Sequence, residues 1–224
     1  MRICALIPAF NESHHIAKVV EGVRQYIADV VVIDDGSTDG TAGIARTAGA
    51  TCLQLPRNCG KASAQREGIA FARNQNFTHA ITLDGDGQHL PEDIPVMLRV
   101  AEETGADLII GARRFDRALM PSSRYFSNII GSRLASALVG REIRDSQSGF
   151  RLLRLDKLGD AKLRSRCYEL EMEILIKMAR SGCTIAHAPV RMIYDDGEAR
   201  SKMKPVRDTV RVCLWSLAFR FLGA

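Results

Sequence analysis

The sequence is poor in aromatic residues and has no long uninterrupted apolar run. Phe, Trp and Tyr make up 6% of 224 residues, and there is one Trp. A platform for single-stranded nucleic acid needs aromatics interleaved with Arg or Lys, so no nucleic-acid partner is expected. A bilayer span needs about 20 mostly apolar residues. The longest apolar stretches, near 128–140 and 212–224, are cut by Arg133 and Arg220. The segment Met1 to Pro8 is too short for a signal-peptide core and runs straight into Asn11-Glu12. The six cysteines form no CxxC and no cluster with the scattered histidines. Reduced, mostly packed thiols are therefore expected, which favours the cytosol.

Other signatures are missing too. No HExxH, GxSxG or GxxxxGK[ST] occurs, and no GxGxxG follows the first apolar run. These absences disfavour a zinc protease, an α/β-hydrolase, a P-loop nucleotidase and a dinucleotide-dependent dehydrogenase. Hydrophobic residues at 46% and charged residues at 25% describe an ordinary globular chain. Its length suits one large domain or two small ones, and a single α/β domain of this size buries a core without metal or disulfide staples. The net charge of +5 admits an anionic partner, whether nucleic acid, membrane surface or phosphate-rich ligand.

Apolar runs and helical spacings alternate through the first half. Strands are expected at Arg2–Ile7, Val30–Ile33, 50–55, Ala80–Leu83 and Asp107–Ile110, with helices over 12–26, 41–49, 61–76 and 91–104 between them. Val30-Val31-Val32-Ile33 is continuous and β-branched, which fits a strand buried on both faces. The order predicts a mostly parallel sheet with helices on both faces. After Gly111 the pattern changes to a polar loop over 113–123, a helix over 124–140, a strand over 149–154 and a helix over 168–181. A strand from Ile185 to Tyr194, a charged loop over 195–204 and a last helix from Pro205 follow. One domain with two functional halves is expected, 1–112 and 113–204, closed by an amphipathic helix over 205–224.

Ligands of open α/β sheets bind beyond the carboxyl ends of the strands. Four polar segments follow apolar strands here: Pro8–Glu12, Asp34–Gly40, Asp84–His89 and Gly111–Arg114. All four should converge on one sheet edge. In Asp84-Gly85-Asp86 two carboxylates share a turn, and both can reach a hard cation such as Mg²⁺ or Mn²⁺, with Gln88 adding a carbonyl oxygen. The alternative is a solvated Asp-Gly turn. Asp34 and Asp35 end a strand where a carboxylate can accept from ribose or base, or act as a local cap. Thr38, Asp39 and Thr41 suit local capping roles. Asn58-Cys59-Gly60-Lys61 can offer N–H groups and a Lys to phosphate at a helix start. His89 adjoins the acidic turn. Glu169, Glu171 and Glu173 are read as facing water or pairing with Arg.

The segments Pro8-Ala9-Phe10-Asn11-Glu12, Asp34–Thr41, Asp84–His89 and Asp145-Ser146-Gln147-Ser148-Gly149-Phe150-Arg151 occur in that order. Together they resemble the family 2 glycosyltransferases of GT-A fold, and more closely the dolichyl-phosphate mannose synthase branch with its bacterial polyprenyl-phosphate relatives. The resemblance runs from residue 3 to about 215. It implies a Rossmann-like nucleotide-binding half, with Pro8, Phe10, Glu12, Ile33 and Asp35 holding the nucleotide. Phe10 stands where Tyr is commoner, so a hydroxyl contact is lost. It also implies that Asp84, Asp86 and Gln88 hold the metal on a diphosphate, with Gly85 replacing the branch's frequent Ala beside the donor. The implied reaction moves a hexose of mannose or glucose type, with inversion, from a nucleoside diphosphate sugar (GDP or UDP) to a polyprenyl phosphate, dolichyl or undecaprenyl.

A sugar hydroxyl acceptor needs a general base, whereas a lipid phosphate is already ionised and needs cations. Arg113, Arg124, Arg200 and Lys202 are the candidates for that role, since guanidinium groups bind phosphate in bidentate fashion. Asp84, Asp86, Arg113 and Asp145 form the expected catalytic set. For Asp145 a base, an Arg-positioning role and a structural role all remain open. Rival readings are transfer to a saccharide or protein hydroxyl, and a non-catalytic nucleotide-sugar-binding module. The last helix fits an interfacial membrane helix, a core closure or a subunit contact such as a homodimer. A cytoplasmic protein, peripheral at the membrane face, is the expected setting.

Overall fold

The computed structural model describes residues 1–115, 122–158, 163, 165 and 169–191. In chain order the elements are β1 (Ile3–Ala9), α1 (Ile16–Arg24), β2 (Asp29–Asp34), α2 (Thr41–Thr47), β3 (Thr51–Gln54), α3 (Lys61–Asn74) and β4 (His79–Thr82). A 3-10 turn (Pro91–Asp93) leads into α4 (Ile94–Thr104), followed by β5 (Leu108–Arg113), α5 (Ser122–Val139), β6 (Arg151–Arg154), α6 (Leu170–Arg180) and β7 (Ile185–Val190). The charged loop and last helix, with Arg200 and Lys202, lie outside the described residues.

The strands form one sheet in the order β3-β2-β1-β4-β6-β5-β7. Pairings are parallel except around β6, which runs antiparallel to both β4 and β5. The fold is thus the expected mostly parallel α/β sheet. Reversal of β6 was not expected, and it has a consequence for the site. The residues before an antiparallel strand arrive at the same edge as the residues after its parallel neighbours. Segment 145–150 therefore meets the ends of β4 and β5. Because β6 lies between strands of the first half, the two halves share one sheet.

Alternation along the strands explains the layers. Cys4, Leu6, Val31, Ile33, Ala80, Leu108 and Leu153 pack with Ala62, Ile69, Ala135 and Leu175 on one face. Ala5, Ile7, Val30, Val32, Ile81, Ile109 and Leu152 pack with Val19, Val20, Val23, Ala45 and Met97 on the other. Strand β5 extends three residues beyond its expected end, because Gly111, Ala112 and Arg113 pair with Ala188, Pro189 and Val190 of β7. No helix among the described residues is long and apolar enough to cross a membrane. Cys4 and Cys183 are buried free thiols, while Cys59 is exposed, so packing of the thiols is not uniform.

Candidate active site

Strand order turns at β1, with β2 and β3 on one side and β4 on the other. The crevice at such a switch point is where open α/β sheets bind ligands. The turns after β1 and β2 are laced together there. Asp35 N–H donates to Ala9 O at 2.8 Å, Asn11 N–H to Ser37 Oγ at 2.9 Å, and Thr38 N–H to Asn11 Oδ1 at 3.0 Å. Asp39 accepts from Ser13 N–H, Thr41 N–H and Thr41 Oγ1, and Thr41 Oγ1 accepts from Glu12 N–H. Thr38, Asp39 and Thr41 thus have the expected local roles. Gly36 sits at φ +73, where a Cβ would lie 2.6 Å from the Arg57 backbone carbon. Only glycine fits that approach.

Asp35 is 3% exposed, and its two oxygens accept from Cys59 N–H and Gly60 N–H, each at 2.8 Å. Segment 58–61 therefore binds Asp35 through its main chain, and Lys61 at the head of α3 is aimed elsewhere. Its Nζ lies 2.6 Å from Asp84 Oδ1 and 3.1 Å from Glu171 Oε1. Ile33 is fully buried, with its side chain packed beneath α3 near Gly68, so that side chain faces core rather than crevice. Pro8 is buried, while Phe10 and Glu12 are half-buried at the crevice edge.

The acidic turn after β4 is built differently. A Cβ on Gly85 would lie 3.3 Å from Ala9 Cβ and from Pro8 O, so this turn packs against the end of β1. His89 Nδ1 accepts from Asp84 N–H at 3.1 Å, and its ring stacks at a tilt on Phe150. That acceptor role assigns the ring proton to Nε2. Burial holds the His89 pKa down at about 4, so the ring stays neutral and shapes the turn. Burial opposes ionisation of Asp84, but the Lys61 charge outweighs it and depresses its pKa. Asp86 is the converse case. Burial, then the Asp84 charge, push it up to about 6, although Gln88 N–H donates to its Oδ1 at 3.0 Å. Two hard carboxylates held close against mutual repulsion are a donor set suited to Mg²⁺ or Mn²⁺. Among the described residues no three His, Cys, Asp or Glu side chains gather as a complete metal cage. The chemistry fits an ion whose remaining ligands come with a diphosphate and water.

The reversed strand brings the second half to this edge. Thr82 Oγ1 donates to Gly149 O at 2.7 Å. A Cβ on Gly149 would lie 3.0 Å from Lys61 Nζ and 3.2 Å from both Asp84 oxygens, so glycine lets the main chain lie on the ion pair. Asp145 is fully buried and binds Arg113 in a fork: Nε to Oδ2 at 2.5 Å and Nη2 to Oδ1 at 2.9 Å. Its open roles narrow accordingly, since both oxygens serve to orient a guanidinium. Arg124 is half-buried near the start of α5.

Four residues were missed or misread from sequence. Arg151 is 1% exposed and donates to Ser148 O, Ser146 O and Glu171 O, tying segment 146–148 to α6. An Arg beginning a Leu-Leu strand was the available signal. Glu169, Glu171 and Glu173 were expected in water or on Arg, and instead are 2%, 5% and 0% exposed. Lys61 meets Glu171, while Lys177 and Ser165 N–H meet Glu173.

The chain is similar to known proteins in sequence and in fold. The family described as glycosyl transferase family 2 matches residues 4–160. An uncharacterised protein of Methanocaldococcus jannaschii is 35% identical, over 86% of this chain and 88% of its own length. The undecaprenyl-phosphate mannosyltransferase of Micrococcus luteus is 29% identical, over 100% and 97%. Among solved structures, glucosyl-3-phosphoglycerate synthase of Mycobacterium tuberculosis, in complex with Mn²⁺, UDP and glucosyl-3-phosphoglycerate, superposes with a TM-score of 0.74. It is 20% identical, over 97% of this chain and 79% of that one, a likeness of fold. An acidic turn at the switch point, four motifs in order and a family match spanning them lead to one assignment: the chain belongs to glycosyl transferase family 2, in its dolichyl-phosphate mannose synthase-like branch, and is a glycosyltransferase.

Proposed function

We propose that this enzyme transfers a hexose, with inversion, from a nucleoside diphosphate sugar to a polyprenyl phosphate. The observation that carries the acceptor assignment is the state of the two described second-half carboxylates that stand nearest this edge. Asp145 is engaged by Arg113 and Glu171 by Lys61. An acceptor hydroxyl would need a base, whereas a phosphate monoester brings its own ionised oxygen. Similarity to a mannosyltransferase named for undecaprenyl phosphate supports the same reading.

The crevice formed by Pro8, Phe10, Glu12, Asp35 and Gly85 would take the nucleotide, Asp35 acting through the 58–60 loop it fixes. Of Ile33, only the main chain is available for that role. Asp84 and Asp86, with Gln88, would hold Mg²⁺ or Mn²⁺. When bound, such an ion stabilises charge developing on the leaving diphosphate. Arg113, oriented by Asp145, would receive the acceptor phosphate, joined by Arg124, Arg200 and Lys202. In this division residues 1–112 serve the donor, 113–204 the acceptor and 205–224 the membrane surface, at its cytoplasmic face.

The test supplies labelled GDP- and UDP-sugars with Mn²⁺ and either polyprenyl phosphate or soluble saccharides. Label is expected in the lipid phase only with polyprenyl phosphate, and Asp84→Ala should abolish it while leaving the thermal midpoint near that of the wild type. Transfer to soluble saccharides alone would overturn the acceptor assignment. Normal turnover by Asp84→Ala would overturn the metal assignment.

A further inference from the structure

The buried acid of α6 has no part in the reaction just described, yet it reaches the acidic turn through one lysine. Lys61 is the first residue of α3, the positive end of that helix dipole, where a cation is disfavoured. It is kept there by acids from two other elements, Asp84 after β4 and Glu171 in the first turn of α6. Glu171 is itself anchored twice. Its side chain is 6% exposed beside Lys61, and its main-chain carbonyl accepts from Arg151 at 2.5 Å. Two carboxylates around one ammonium leave one net negative charge. Without Glu171, Lys61 and Asp84 would form a closed neutral pair.

We propose that Glu171 is a positioning residue for the acidic turn: by sharing Lys61 with Asp84, it keeps Asp84 available to a divalent cation. The proposal rests on the metal reading above. Partners outside a metal's own ligand shell commonly shift its affinity by about 10- to 100-fold, and charge interactions in a poorly solvated site are strong enough to do so. Removing the Glu171 charge leaves the full Lys61 charge on Asp84, so the turn should bind a cation more weakly. Removing Lys61 as well should reverse that loss.

Mn²⁺ titration of the full chain, read by electron paramagnetic resonance, tests this without turnover. Glu171→Gln is expected to weaken Mn²⁺ binding by roughly tenfold or more. Glu171→Asp should stay near wild type, and adding Lys61→Met to Glu171→Gln should recover most of the loss. In transfer assays, Glu171→Gln should raise the Mn²⁺ concentration for half-maximal rate more than it lowers kcat at saturating Mn²⁺. Unchanged Mn²⁺ affinity in Glu171→Gln, or a double variant as weak as the single one, overturns the proposal. If Glu171→Gln fails to fold, Lys61→Met alone decides: binding at least as tight as wild type supports the proposal, and weaker binding overturns it. Failure of the wild type to bind Mn²⁺ overturns the metal reading, and the inference with it.

Discussion

Two acidic turns stand on the same sheet edge, after β2 and after β4, and they have opposite physical states. The Asp35 oxygens are satisfied by main-chain N–H groups of Cys59 and Gly60. Asp84 and Asp86 are set beside each other with one lysine between the first of them and Glu171. Hydrogen bonds from fixed N–H groups satisfy a carboxylate and hold a loop. A like-charged neighbour in a half-buried place does the reverse, and leaves the site attractive to a cation. Similar acidic turns after buried strands thus serve local architecture at one end of the crevice and, in the function proposed above, cation binding at the other.

Substitution of Asp86 would test this contrast most severely. Asp86→Asn is expected to lower the transfer rate by roughly 100-fold or more, the scale of removing one electrostatic stabiliser of a transition state. Its thermal midpoint should not fall, because a like-charge repulsion with Asp84 is relieved. A large loss of stability with activity retained would make the two turns equivalent and break the comparison.

Asp35→Asn should behave in the opposite way. An amide offers one acceptor oxygen where two N–H groups now donate, so its own NH2, buried at this position, would face a donor, at about 1–3 kcal/mol. Urea unfolding should show that loss, and the nucleotide KM should rise as the 58–60 loop loosens. Unaltered stability would remove the architectural role assigned to Asp35.

The smallest effect concerns pH. Slight burial works against ionisation of Asp39, but the Thr41 hydroxyl and the Ser13 and Thr41 N–H groups outweigh it and hold its pKa well below the usual aspartate value. A carboxyl depressed in the folded state contributes stability above its unfolded pKa, about 3.9. That contribution is lost as pH falls from there through the folded value. Because Asp39 is exposed, solvent screening keeps it to a few tenths of a kcal/mol. Comparing Asp39→Asn with wild type by urea unfolding at pH 7 and at pH 3 should show a larger difference at pH 7 than at pH 3. A difference that grows toward acid would reverse the sign.

Much of this was legible in the chain. The runs Val30–Ile33 and Ala80–Leu83 announce buried parallel strands because both faces are covered, so no polar alternation is needed. Asp84-Gly85-Asp86 was legible because its two acids are neighbours in sequence. Lys61 was read as a phosphate ligand and Glu171 as an acid facing water or pairing with Arg. Neither reading had access to the partner, since the contact joins α3 to α6 across the sheet edge.

The sequence by itself determined the alternating strands and helices, the mostly parallel sheet and the order of the acidic motifs. Those follow from local periodicity and turn chemistry, which act over a few residues. Tertiary structure decided the reversal of β6, which brings Asp145 and Gly149 to the edge that carries Asp84. It also decided which acids are free and which are held. Asp35, Asp145 and Glu171 are all buried, and the charge each presents depends on the N–H, guanidinium or ammonium group that packing places against it.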